Sequence, residues 1–263
     1  MGGSDDALDA VAIRAALPDG TALDLAVVAE VDSTNAALWR EPSSPQPRAL
    51  LGEVQTAGRG RRGRRWVSAP GDSLCLSLRW ASARPLAAQG PLPLVAGLAC
   101  AEALRGLGAP VQVKWPNDLV VAAGKLGGLL VEARGEGNGS IAVLGVGINL
   151  RLPRGLDAVL DAQAQPPAAL DALLPRLPAR NLLAARLLGS LLQRLEAFEV
   201  HGWQALEPAW QALDALAGRE VRVRGEGGER SGTVLGLSAD GALRVRFASG
   251  EAVLHSGEVS VRA

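Results

Sequence analysis

The stretch that most constrains the fold is Gly58 to Trp66, GRGRRGRRW. Its three glycines allow positive φ and close approach of backbone to a ligand, and its five arginines supply planar, permanently charged forks suited to carboxylate and phosphate oxygens. Gly58, Gly60 and Gly63 have the GxGxxG spacing, but a dinucleotide-binding loop must open a helix. Here Trp66-Val67-Ser68-Ala69-Pro70-Gly71 follows, which cannot continue one. Ala49 to Val54 before it is strand-like. After it Leu74, Leu76, Leu78 and Trp80 alternate with Cys75, Ser77 and Arg79, the pattern of a half-buried strand. The stretch thus joins two strands. Taken alone, its charge suits a nucleotide, a nucleic-acid backbone or a solvated basic loop.

The charge is local. Across 263 residues, 27 Lys and Arg balance 27 Asp and Glu, so no global field draws the chain to nucleic acid or an anionic membrane. Cys75 and Cys100 lie in apolar segments without metal-ligand spacing, as reduced buried thiols do, and His201 and His255 are isolated from any catalytic partner. The first residues lack the basic and apolar regions of a signal peptide, and no later run reads as a membrane span; the expectation is a cytoplasmic protein.

Along the chain, residues 5–17 have a weak helical pattern, and Leu23 to Val31 reads as a strand. Asp32-Ser33-Thr34-Asn35 offers caps for a helix through Arg40; as a bare motif it is a cap and no more. Leu92 to Leu107 is an apolar helix suited to packing on a sheet, and Val111 to Trp115 is a strand that breaks at Pro116-Asn117-Asp118. Val120 to Ala133 reads as a hairpin with Lys125 beside its turn. The apolar strand Ile141 to Leu150 contains Gly145 and Gly147, which weaken a strand unless something needs the room. Residues 153–180 suggest only a short helix between loops. Asn181 to Phe198 is a strong helix, and a second helix over Gln204 to Leu216 carries Trp203 and Trp210 as core anchors. Five short strands after Gly218, separated by tight glycine turns, predict a small barrel of SH3-like size. The fold class is α+β: a mixed, mainly antiparallel sheet with helices, then the barrel. The predicted organisation is a lead segment (1–20), a catalytic unit (21–217) and the β domain (218–263).

Set side by side, Ser33-Thr34-Asn35, GRGRRGRRW, KWPND at Lys114 to Asp118, GKLGG at Gly124 to Gly128 and GVGIN at Gly145 to Asn149 resemble, in this order, the biotin protein ligases. The resemblance runs from about Ser33 to the C-terminus. It implies ATP-dependent activation of biotin and attachment to one lysine of an acceptor, the biotin carboxyl carrier domain of acetyl-CoA carboxylase or of another biotin-dependent carboxylase. By similarity, Ser33, Thr34, Asn35, Gln55, Gly58, Arg59, Gly60, Arg61, Lys125 and Gly127 contact biotin. Arg64, Trp66, Asn117, Asp118 and Asn149 serve ATP and the adenylate, with Asp118 at Mg²⁺. Lys125 and Arg61 are the implied catalytic residues. A homodimer is compatible with the resemblance. Relatives with a second function carry an N-terminal winged-helix DNA-binding domain. Only about twenty residues precede the catalytic strands here, short of an independent domain of roughly 50, so operator binding is not expected.

The chemistry fits those residue types. A carboxylate attacking an anionic triphosphate needs Arg61, Lys125 and Mg²⁺ to offset repulsion, and the adenylate must be shielded from water by a loop that orders over it. The competing readings are a lipoate ligase or related acyltransferase of the same fold, a nonenzymatic nucleic-acid-binding module, and a plain carrier or scaffold. The last leaves the five-part pattern unexplained.

Overall fold

The computed structural model describes residues 6–67, 69–152, 165–225, 228–255 and 260–262; most of the segment read as loops and a short helix, residues 153–164, lies outside them. A seven-stranded sheet of order β1-β2-β3-β7-β6-β5-β4 forms the larger unit: β1 (Asp24–Val31), β2 (Arg48–Gln55), β3 (Ser73–Ser82), β4 (Gln112–Lys114), β5 (Asp118–Val121), β6 (Gly124–Glu136) and β7 (Gly139–Asn149). β1 and β2 are parallel and joined through helix α2 (Thr34–Arg40); the other neighbours are antiparallel. The mixed, mainly antiparallel sheet expected from the short hairpin links is therefore present.

β3 departs from the half-buried pattern. Its alternation is real, but both faces are covered. Leu74, Leu76, Leu78 and Trp80 enter the main core, where helices α3 (Leu92–Arg105) and α4 (Arg180–His201) pack. The other face lies under α2, where Ser77 reaches hydroxyl and amide groups of the helix and Arg79, 5% exposed, donates to Pro42 O at 2.8 Å. Polar positions facing a helix, rather than water, are what a period-of-two pattern cannot distinguish.

α3 is buried around most of its circumference. Each fully buried leucine there, such as Leu98 or Leu104, contributes about 2 kcal/mol of transfer free energy. The segment Leu86–Arg105 does reach the length and mean hydropathy of a spanning helix, 20 residues at 1.2, contrary to the sequence reading; 61% of its most apolar window is buried inside the protein, the state of a core helix. The helix expected over Gln204 to Leu216 is mostly replaced. A 3₁₀ turn (Trp203–Ala205) and a short α5 (Glu207–Gln211) are followed by residues that pair with β4: Val113 N donates to Leu213 O at 2.9 Å and Ala215 N to Val113 O at 2.8 Å. An otherwise open sheet edge outbids the helical pattern. Trp203 and Trp210 are the expected core anchors, buried and edge-to-face at 6.4 Å.

The lead segment is part of the packed unit. α1 (Ala10–Ala15), capped by Asp9, buries Ile13, and Leu8 and Leu17 join the same core. Arg180 at the start of α4 holds Glu53 at 2.6 Å and Asp6 through its backbone N–H at 2.8 Å.

The C-terminal strands β8 (Glu220–Gly225), β9 (Gly228–Leu237), β10 (Leu243–Phe247), β11 (Gly250–Leu254) and β12 (Ser260–Arg262) form an antiparallel sheet of order β11-β10-β9-β8-β12, the small SH3-like unit expected. It meets the larger unit at the strand break after β4, where the Trp115 indole N–H donates to Gly241 O at 3.1 Å.

Candidate active site

The Gly58 to Trp66 stretch folds as a hairpin over the sheet between β2 and β3. Gly60 N donates to Arg64 O at 2.7 Å and Trp66 N to Gly58 O at 2.9 Å, and a 3₁₀ turn at Arg61–Gly63 closes the tip. Arg62 sits there at φ 58°, the left-handed region that favours glycine. Gly58 has a steric reason as well: a Cβ on it would lie 2.5 Å from Trp66 O. Beneath the hairpin is a pocket of about 200 Å³, lined on one side by α2 and on the other by the ends of β5, β6 and β7.

At the α2 end, a chain of hydrogen bonds fixes the side chains. Thr34 N donates to Gln55 Oε1 at 2.9 Å, the Thr34 and Ser77 hydroxyls lie 2.7 Å apart, and Ser77 Oγ donates to Asn35 Oδ1 at 2.5 Å. Asn35 Nδ2 in turn donates to Leu130 O and Glu132 Oε2, each at 3.0 Å. Gly145 supplies the space, since a Cβ there would lie 2.3 Å from Asn35 Oδ1. Two positions on, a Cβ at Gly147 would lie 2.6 Å from ring atoms of Trp66, so that ring lies directly on the strand. The room that these strand glycines provide is taken by Asn35 and Trp66.

At the other end the groups are charged. Lys125 Nζ lies 2.6 Å from Asp118 Oδ1, and Arg61 donates to Asn117 Oδ1 at 3.0 Å, while Asn117 Nδ2 donates to Leu129 O at 2.6 Å. The β5–β6 hairpin places Lys125 and Asp118 together, because a register shift between Leu119 and Val120 accompanies the tight turn. Desolvation lowers the Arg61 pKa below the usual arginine range, and Arg62 and Arg64 beside it act in the same sense while Asp118 opposes them. Arginine's pKa is so high that this group keeps its charge at neutral pH. The pocket thus joins neutral amide and hydroxyl groups at one end to a concentration of cations at the other. It can orient a polar uncharged ring and draw an acid group and a phosphate together.

Of the residues expected from the sequence, Ser33, Thr34, Asn35, Gln55, Arg59, Gly60, Arg61, Arg64, Trp66, Asn117, Asp118 and Lys125 line this one pocket. Gly58, Gly127 and Asn149 do not line it. Gly58 is the hairpin base, a Cβ on Gly127 would strike Gly147 O at 2.6 Å, and Asn149 Nδ2 donates to Ala168 O at 3.0 Å. Ser77 and Glu132 belong to the site's hydrogen-bond chain without having been expected there. Ser77 carried a signal in its polar position along β3; Glu132 carried none.

A pocket with neutral hydrogen-bonding groups at one end and cations at the other suits a ligand with a polar ring and acid and phosphate groups. Residues 27–149 match the biotin/lipoate A/B protein ligase family, and residues 217–262 match the biotin protein ligase C-terminal domain. The bifunctional ligase/repressor BirA of Salmonella typhimurium is 37% identical over 97% of this chain and 78% of its own length. The biotin--[acetyl-CoA-carboxylase] ligase of Paracoccus denitrificans is 34% identical over 89% of this chain and 98% of its own. The solved biotin protein ligase from Aquifex aeolicus in complex with biotin and ATP superposes with a TM-score of 0.75, at 28% identity over 91% of this chain and 98% of that one. The chain belongs to the biotin protein ligase family, and it is an ATP-dependent enzyme of biotin attachment.

Proposed function

We propose that this pocket activates biotin as biotinyl-5′-AMP and then passes the biotinyl group to a lysine of a carrier protein, the biotin carboxyl carrier domain of acetyl-CoA carboxylase or a similar carboxylase. A biotin carboxylate oxygen attacks the α-phosphorus of ATP, and the bond to pyrophosphate breaks. The carrier's neutral lysine amine then attacks the acyl carbon, AMP departs with the bonding pair, the nitrogen gives up one proton to solvent, and an amide remains. Arg61 and Lys125 stabilise the negative charge gathered in the first step, each by a permanent or near-permanent cation in a partly desolvated site. The α2 chain of Thr34, Asn35 and Gln55 holds the ring end of biotin, and Trp66 and Arg64 take the nucleotide. The hairpin excludes water from the anhydride between the two steps.

Asp118 fits Mg²⁺, a hard cation that takes one or two protein carboxylates and completes its shell with phosphate oxygens and water. Mg²⁺ there would neutralise phosphate charge. We place the protein in the cytoplasm, where biotin, ATP and carrier protein meet.

The observation that carries this reading is the single pocket that brings Lys125, Arg61 and Asp118 under the hairpin and beside the Thr34–Asn35 end. Its test is incubation with ATP, Mg²⁺, a carrier domain and either biotin or lipoate, followed by mass spectrometry of the carrier. The expected outcome is one biotin increment and none of lipoate. Lipoate transfer would replace biotin as the substrate, and no increment with either would overturn the reading.

A further inference from the structure

Glu132 joins the two walls of the site. Its Oε2 accepts from Asn35 Nδ2 at 3.0 Å and from Arg59 Nη2 at 3.1 Å, so one oxygen holds a residue of α2 and a residue of the glycine–arginine hairpin at once. The Arg59 contact is exposed to solvent, and the Asn35 contact is partly buried. Asn35 is 3% exposed, and its amide orientation is fixed at both ends: Oδ1 accepts from Ser77 Oγ at 2.5 Å, and Nδ2 also donates to Leu130 O at 3.0 Å. With Ser77 donating its one proton to Asn35, the Thr34 hydroxyl, 2.7 Å from Ser77 Oγ and 3.2 Å from Gln55 Oε1, shares its one proton between those two acceptors. The donors run in one direction, Ser77 to Asn35 to Glu132, and end on a carboxylate that the Arg59 guanidinium also faces. Charge-assisted bonds at the end of such a chain are its strongest links.

Arg59 sits at the near strand of the hairpin, bridged across to Arg65. Holding Arg59 therefore holds the hairpin down on the sheet, and what holds it is attached through Asn35 and Ser77 to the pocket floor. We propose that Glu132 is a positioning residue that ties the hairpin to α2, so that retention of the adenylate depends on a carboxylate that need not touch it. The proposal rests on the biotin ligase reading for what the pocket retains; the tie between hairpin and α2 stands on geometry alone.

The test compares wild type with Glu132→Ala, Glu132→Gln, Arg59→Ala and the double variant Arg59→Ala/Glu132→Ala. Enzyme-bound biotinyl-adenylate is formed without carrier and its release followed after a chase of unlabelled biotin. Glu132→Ala is expected to speed release on the order of tenfold, the effect of a charge-assisted bond discounted for partial exposure. Glu132→Gln, which keeps an acceptor for Asn35 but loses the charge facing Arg59, is expected to fall between. The double variant is expected to release no faster than Arg59→Ala. Release at the wild-type rate from both Glu132 variants, or fully multiplicative effects of the 59 and 132 changes, would overturn the proposal. A second readout needs no biotin chemistry: tryptic cleavage within residues 59–65 of the free protein is expected to accelerate in Glu132→Ala and Glu132→Gln. If wild type makes no biotinyl-adenylate, the functional reading fails, while unchanged cleavage rates in both variants would sink the tie by itself.

Discussion

The ammonium of Lys125 and the carboxylate of Asp118 lie 2.6 Å apart at the cationic end of the pocket, each partly shielded from solvent. In the proposed function each meets a different ligand charge, the lysine the acid and phosphate oxygens and the aspartate Mg²⁺. Binding therefore exchanges one set of partners for another rather than exposing an unpaired buried charge, which would be far more unfavourable. Lys125→Ala removes the cation at the reacting oxygens and is expected to slow adenylation by about 10²-fold or more, the range seen when a transition-state donor is deleted. Lys125→Arg is expected to recover little of it, because a planar fork does not fit the place of a compact ammonium. Quenched-flow measurement of pyrophosphate release checks both.

The strand glycines bear on the two proposed ends of the pocket separately. Gly145→Ala would place a methyl 2.3 Å from Asn35 Oδ1, and Gly147→Ala would place one 2.6 Å from the Trp66 ring. Overpacking of this kind costs about 1–3 kcal/mol at the displaced group. Gly145→Ala is expected to raise KM for biotin at least tenfold with a smaller change for ATP, and Gly147→Ala to do the reverse. Steady-state kinetics with each substrate varied in turn reads the split; equal effects on both KM values would break the assignment of the two ends.

Asp214 makes a prediction about stability and pH. Burial pushes its carboxyl up to about 6, with the Leu216 N–H and the charge of Arg219 pulling the other way. Because the folded value exceeds the unfolded one, stability is fully present below the unfolded pKa and declines as pH rises through about 6. Asp214→Asn keeps an acceptor for the 2.8 Å bond from Leu216 N and removes the buried charge. It is expected to stabilise the protein by about 1–3 kcal/mol at pH 8, with the gain shrinking as pH falls towards 4. Urea unfolding of both proteins across that range checks the sign.

Trp115 connects the two units. Its indole N–H donates to Gly241 O from a side chain 2% exposed, immediately before the Asn117 and Asp118 turn. Trp115→Phe leaves the carbonyl without that donor and is expected to lower stability by about 1 kcal/mol and to raise KM for ATP more than KM for biotin. Denaturant unfolding with parallel kinetics tests it.

Much of this was legible from local pattern. The glycine–arginine stretch had to join strands because Pro70 and Gly71 forbid the helix that GxGxxG requires, and the Asn117-Asp118 turn and the Lys125 hairpin were marked by their breakers. What escaped notice depends on distant contacts. Residues 213–215 look helical but pair with Val113, a choice made by an open sheet edge. Ser77 alternates as a solvent-facing residue would, yet its face is covered by α2. Glu132 sits in a strand among other charged residues, and nothing local says that its carboxylate reaches Asn35 and Arg59. The reason for Gly145 and Gly147 was stated as a need for room; only the fold shows whose side chains use it.

If one pocket first joins biotin to the α-phosphate of ATP and only then serves the carrier, labelled pyrophosphate exchanges into ATP with no carrier present. The expected result is exchange that requires both biotin and Mg²⁺ and is lost in Lys125→Ala. Exchange at the same rate without biotin, or carrier biotinylation by a protein that shows no exchange, would contradict it.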